Sequence, residues 1–341
     1  MKISKSDYYR NEMDIPYDPG IGFQIGMSLN LIQYIPYQVR DKFVSLVSIM
    51  GNRSSGVPRR SFPIDDLADR LDPTTEEKRE FWDKDFGVLM THDVDTRLGY
   101  NYGLAKFVEI EKQMNFVSTF NIVPKSYEYD VSKQLVKSLL DDGFDVGIHG
   151  LHHDGKFAYL TPSEQRERIK EAASIGRSLG VSVLGYRAPL LHRTKQMVRI
   201  LTEEGFYWDS SFPDTDASTT GYASTGSRTI FPFYPLYFNG TEWQRSGMLE
   251  FPVSMPQDWT LLYYYRLSEQ SMLKVWKKKL DYIKSRGGLA VFVIHPDQED
   301  FGHPKHHNAY RKLLSLIIEA DPEILTSTEL AKRWKARFPS V

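Results

Sequence analysis

"VLMTHDVDTR", Val88 to Arg97, sets an apolar run directly against a histidine and two aspartates. Val, Leu and Met in succession, bounded by polar residues, read as a short buried strand. Two carboxylates at the end of such a strand are unfavourable unless something pairs with them. In α/β proteins, chemistry collects at the carboxyl ends of the strands. Asp93 and Asp95 therefore mark this strand as one that presents a site.

The pattern recurs down the chain. After "GVLMTHD" come "FVSTFNIV", "FDVGIHG", "VLGYRAP", "YWDSSF", "MLEFPVS", "LAVFVIHPD" and "EILTS". Helix-like segments separate them. "YDVSKQLVKSLLDDG" has Leu and Val at helical spacing and ends in Gly. "TPSEQRERIKEAASIGRSLG" opens on Thr161 and Pro162 and closes on Gly180. "SEQSMLKVWKKKLDYIKSRGG" and "HHNAYRKLLSLIIEAD" repeat the form. Alternating strand and helix implies a mostly parallel sheet, and about seven such units favour an α/β barrel over a doubly wound sheet. Residues 1–85 lack the rhythm. They carry a loop-like "GNRSSGVPRRSFP" and a helical "DDLADRLDPTTEEKREF", and read as an N-terminal extension packed on a barrel of residues 86–341. Residues 207–265 are rich in aromatics, Pro and Gly, as expected of long loops inserted at strand ends.

Composition narrows the chemistry. In 341 residues, 43 Lys and Arg balance 44 Asp and Glu, for a formal charge of −1, which gives no electrostatic case for nucleic acid or an anionic membrane. Cysteine is absent, so disulfides, thiolate metal sites and a cysteine nucleophile are excluded. The lysines of "MKISKSDYYRNEMDIPYD" precede no apolar core, and "IGFQIGMSLNLIQYIPYQV" is too polar to span a membrane. A cytoplasmic location is the expectation, and an oligomer is compatible with the sequence.

Polar residues mark the ends of several strands: Asp93 and Asp95, His149 with His152 and His153, Arg187, Asp209, and His295. In a barrel these ends converge on one face. In "HGLHH", His149 and His153 are four apart, so on a helical turn they face the same side and can share a cation. Two imidazoles and a carboxylate form an open, catalytic type of metal site. The bland alternative is a loop with three ordinary histidines.

"THDVD", "HGLHH", "RAP" and "VIH", in that order over about Phe86 to Arg337, resemble the motifs of the polysaccharide deacetylase family (carbohydrate esterase family 4, the NodB homology domain). The resemblance implies a distorted (β/α) barrel, removal of N- or O-acyl groups from sugars, and one divalent ion held by Asp95, His149 and His153. Zinc suits such a set, and cobalt, nickel and manganese fit the same ligands. It further implies metal-bound water as nucleophile, Asp93 as general base, Arg187 orienting Asp93, His295 as general acid and the Leu190 backbone N–H as an oxyanion donor. Tyr186, Leu190 and Trp259 are the expected substrate contacts. Asp209 is the first choice for the carboxylate that orients His295, and Asp258 the second.

The chain departs from the family pattern in four places. Val94 separates the two aspartates, so their roles can be exchanged. His92 stands where Phe is common, Gly150 where Ser or Thr is usual, and Leu190 where Tyr is usual. His152 reads as a bystander. His303, His306 and His307 read as a solvated loop and helix start rather than a second metal site, and His192 as a surface or substrate-contacting residue. Some of the aromatics between Tyr207 and Tyr263 suit the C–H faces of sugar rings.

Three other readings compete. "DVDTR" also fits the DxD that opens the DxDxT of haloacid dehalogenase phosphatases, but that leaves His149, His153, Arg187 and His295 without roles. A non-catalytic carbohydrate-binding protein on the same fold is a second. A hydrolase of small amides or cyclic ureides is a third. Within the deacetylase reading, the expected substrate is a nucleotide- or lipid-linked amino sugar made inside the cell for surface polysaccharide synthesis.

Overall fold

The computed structural model describes residues 63–64, 74–194, 196–214 and 229–340. Most of the expected N-terminal extension lies outside the described residues, including "GNRSSGVPRRS" and all of "DDLADRLDP".

All eight apolar runs form strands, and all their pairings are parallel. They are β1 (Gly87–Val94), β2 (Thr119–Ile122), β3 (Asp145–His149), β4 (Gly185–Arg187), β5 (Trp208–Asp209), β8 (Leu249–Glu250), β9 (Leu289–Val293) and β10 (Glu323–Ile324). Seven follow the order β9-β1-β2-β3-β4-β5-β8, while short β10 pairs with the start of β1. The curled sheet closes on itself beyond β8. There the Met255 N–H donates to the Val291 carbonyl (3.1 Å), and the Ser254 hydroxyl bridges Leu289 O and Val291 N–H. The result is the expected α/β barrel with about seven parallel strands. Between β5 and β8 the sequence reading expected only loops. The structure adds an antiparallel hairpin, β6 (Leu236–Phe238) and β7 (Trp243–Arg245), turning at Gly240.

Helices cover the outer face: α1 (Glu76–Arg79), α2 (Leu104–Gln113), α3 (Lys133–Asp141), α4 (Pro162–Leu179), α5 (Met197–Glu203), α6 (Glu269–Arg286), α7 (His307–Glu319) and α8 (Ser327–Arg337). Their ends follow the sequence signals. Thr161 and Glu164 form a reciprocal capping box at α4, Pro162 takes the first turn, and Gly180 ends the helix with φ 101°. After α1, Phe81 and Trp82 pack on Trp334 of α8, and the Trp82 indole N–H donates to Gly287 O. The segment just before β1 is thereby bound to the barrel wall.

Side chains alternate along each strand between the barrel interior and the helix layer. The interior is filled from β5. The Trp208 indole lies across β3 and β4, where a Cβ at Gly147 would come 2.8 Å, and one at Gly185 1.9 Å, from its ring. The two glycines leave room for the indole, so the polar groups above it rest on a solid floor. Gly185→Ala should therefore lower stability by about 1–3 kcal/mol through overpacking, read as a lower urea midpoint. An unchanged midpoint would contradict this account of the interior.

Candidate metal and acid–base site

Thr91 and Asp93 of β1, and Asp95 just past its end, share the interior face. Asn121 on β2, His149 on β3 and Arg187 on β4 meet them there. Asp95 Oδ1 is 3.2 Å from His149 Nε2, and Asp95 Oδ2 is 3.4 Å from His153 Nε2. The donor atoms of these three residues all lie within 4.8 Å of one another, the one such group found among the described residues. His149 Nδ1 sits 3.1 Å from the Arg187 carbonyl, which fixes the ring and leaves Nε2 as the ligand nitrogen. Asp95 Oδ1 is buried without a hydrogen-bond partner. Such an oxygen, facing two imidazoles, fits a divalent cation.

The expected helical turn at "HGLHH" is not what joins the two histidines. Residues 150–153 form a bend. Gly150 takes φ 64°, and the Pro189 ring lies 2.5 Å from where its Cβ would be. Glycine at this position thus has a steric reason. Gly150→Ser, the residue type usual in the resembling family, should destabilise the protein by about 1–2 kcal/mol from the left-handed backbone alone. Urea unfolding measures this, and equal stability would contradict it.

Asp93 is 3% exposed. Its Oδ1 accepts from Asn121 Nδ2 (2.7 Å), while Oδ2 lies 3.8 Å from Arg187 Nη1 and 4.0 Å from His149 Nε2. Burial disfavours its charge, but the positive charges of Arg187, His149 and His295 prevail and hold it below the usual carboxylate range. Arg187 thus faces Asp93 as expected, yet the hydrogen bond comes from Asn121, which the sequence reading missed. The polar residue inside "STFNIV" was its only signal. Arg187 Nη2 instead donates to Thr91 Oγ1 (3.0 Å) and Ser210 Oγ (3.1 Å).

His295 Nδ1 is 2.7 Å from Asp258 Oδ1, and its backbone N–H donates to Asp258 Oδ2 (2.8 Å). Asp258, the second choice, therefore takes the place expected of Asp209. Strand parity explains the correction. Trp208 and Ser210 face the interior, so Asp209 between them faces outward. It accepts from Ser211 Oγ and sits beside its register partner Glu250. Both carboxyls are wholly buried. Burial raises Asp209 to about 6 and Glu250 well above its usual range, so the pair retains a proton. Parity removes Tyr186 in the same way. It neighbours inward-facing Arg187, is 1% exposed, and packs edge-on against Phe206, away from any substrate.

Leu190 is exposed at the mouth, with a left-handed backbone of φ 57°. Trp259 follows Asp258 directly, and its ring centroid is 6.0 Å from that of Tyr263. Most other aromatics of this region are core: Trp208, Phe212, Phe233 and Tyr234 are all buried. His152 points away from the site, bonded to the Lys125 carbonyl and stacked on Tyr127. His192 is buried rather than a surface residue, and burial lowers its pKa to about 4. His306 pairs with Glu269, His307 bonds to Gly302 O, and His303 caps the following turn.

No protein-family model matches the chain. Curated relatives include a peptidoglycan deacetylase-like protein of Gibberella zeae, 24% identical over 194 residues, or 49% of this chain and 56% of that protein. A peptidoglycan deacetylase of Helicobacter pylori is 22% identical over 57% of this chain and 71% of its own length. The match thus spans just over half the length of the fungal relative. Among solved structures, a polysaccharide deacetylase from Mycobacterium smegmatis superposes with TM-score 0.59 at 19% identity, covering 74% of this chain and 91% of that one. Puue allantoinase superposes with TM-score 0.61 at 14% identity, covering 82% and 99%. The fold is therefore shared by proteins named for different substrates. The chain is thus similar, in fold and at low identity in sequence, to proteins named peptidoglycan and polysaccharide deacetylases.

Proposed function

We propose that this protein is a metal-dependent hydrolase that removes an N-acyl group, acetyl or formyl, from an amino sugar or a glycan built from one. The observation that carries the reading is the Asp95–His149–His153 donor set standing beside two separately tuned acid–base groups, Asp93 and His295. The named activity of the curated relatives supports it.

Asp95, His149 and His153 would hold the ion. A divalent cation there would activate water and polarise the acyl carbonyl. The chain's own residues supply the proton traffic. Asp93, kept ionised and oriented by Asn121 and Arg187, accepts a proton from the attacking water. His295 uses Nδ1 on Asp258, which leaves Nε2 to donate to the departing nitrogen. Burial opposes protonation of His295, but the Asp258 charge and hydrogen bond raise its pKa well above the usual value, so the acid form is available at neutral pH.

The test is acid release from N-acetyl and N-formyl amino sugars, their nucleotide-linked forms and their polymers, with allantoin in the same panel as the ureide control. Asp93→Asn should lower kcat about 10²–10⁴-fold. An equally active variant, or turnover of allantoin alone, would overturn the proposal. pH separates the second group. Since Asp258 raises His295, Asp258→Asn should move the alkaline limb of kcat/KM to lower pH. A shift upward, or none, would count against His295 as the acid.

A further inference from the structure

Asp297, two residues beyond His295, has no part in the proton steps. It is 2% exposed, and both of its carboxylate oxygens accept hydrogen bonds from the loop after β1. Oδ2 takes the Asp95 N–H (3.2 Å), and Oδ1 takes the Thr96 N–H (2.9 Å) and the Thr96 hydroxyl (2.5 Å). Thr96 Oγ in turn accepts the Gly99 N–H (3.1 Å), which extends the tie into the next turn. The Asp297 backbone is itself anchored, because its carbonyl accepts from Asp300 and Gly302 N–H (2.9 and 3.0 Å).

Three glycines make this joint sterically possible. A Cβ at Gly99 would lie 2.0 Å from Asp297 Oδ1, and Cβ atoms at Gly103 and Gly302 would lie 1.7 and 1.9 Å from Pro296 O. The loop carrying His295 is therefore pressed against the loop carrying Asp95, with the Asp297 carboxylate as the clasp.

We infer that Asp297 is a positioning residue for the metal site: by holding the Asp95–Thr96 backbone, it sets the Asp95 carboxylate against His149 and His153. The same clasp fixes the separation of that ligand from His295. This rests on the reading of Asp95 as a metal ligand. Groups behind a ligand that orient it typically change metal affinity 10–100-fold when removed. Asparagine has nearly the shape of aspartate but offers one acceptor and one donor. One of the two backbone N–H groups would then face an NH₂.

The experiment is zinc titration of metal-free protein by competition with a chromophoric chelator, alongside the unfolding midpoint of the same metal-free samples. Asp297→Asn should weaken zinc binding about 10–100-fold. Thr96→Val, which keeps the branched shape and loses the hydroxyl, should weaken it in the same direction by less. Thr96→Val carries the test if Asp297→Asn fails to fold. Wild-type affinity in the folded variants, with or without a lowered midpoint, would overturn the inference and leave Asp297 as a loop tie. A wild type that binds no zinc would overturn the metal reading, and this inference with it.

Discussion

An ionised carboxylate is held almost out of water at the end of an apolar strand, and the upper half of the barrel is organised around it. Left alone, burial would drive Asp93 to its neutral form. Arg187 from β4, Asn121 from β2 and His149 from β3 converge on it, and His295 after β9 adds a third favourable charge. Each comes from a different strand, so the compensation exists only when the sheet has curled. Fold and site are in this sense one constraint: a slip of one residue in any of these strands would send its polar group to the helix layer.

That constraint also explains what was and was not legible in the sequence. Period and punctuation gave every strand of the barrel and the ends of α4 and α6, because apolar runs, capping residues and terminal glycines are local signals. Asp93, Asp95, His149, Arg187 and His295 stood out because charge at the end of an apolar strand is anomalous by itself. What local pattern could not give was parity on strands of two or three residues. "YWDSS" does not say whether Trp208 or Asp209 faces inward, and only the glycines of β3 and β4, which admit the indole, decide it. Asp209 and Tyr186 were misplaced for that reason, and Asp258 lay in a loop with no strand to announce it. Asn121 was passed over because a neutral amide in a strand reads as nothing in particular. Gly150 looked like a departure from the family pattern, when the Pro189 ring and a left-handed backbone ask for it.

The outer layer carries its own buried acid pair, Asp209 and Glu250, which solves the same problem the other way. Burial outweighs the lowering effect of the Arg187 charge there, so the pair keeps a proton. The contrast shows how position within one barrel selects chemistry. Asp93, facing inward, meets the charges of Arg187, His149 and His295 and ionises, whereas Asp209 and Glu250, facing outward, share a proton. A third zone is the rim. Leu98, Tyr102, Tyr127 and Leu190 are exposed on the segments that follow β1, β2 and β4 at their carboxyl ends.

The central claim is that Asp95, His149 and His153 form a metal centre. Elemental analysis of protein purified without chelator or affinity metal, comparing wild type with His149→Ala, tests it most directly. One divalent ion per chain in wild type and little in the variant is the predicted result. Wild type without metal after reconstitution with zinc, cobalt or manganese, or equal metal in both proteins, would contradict it.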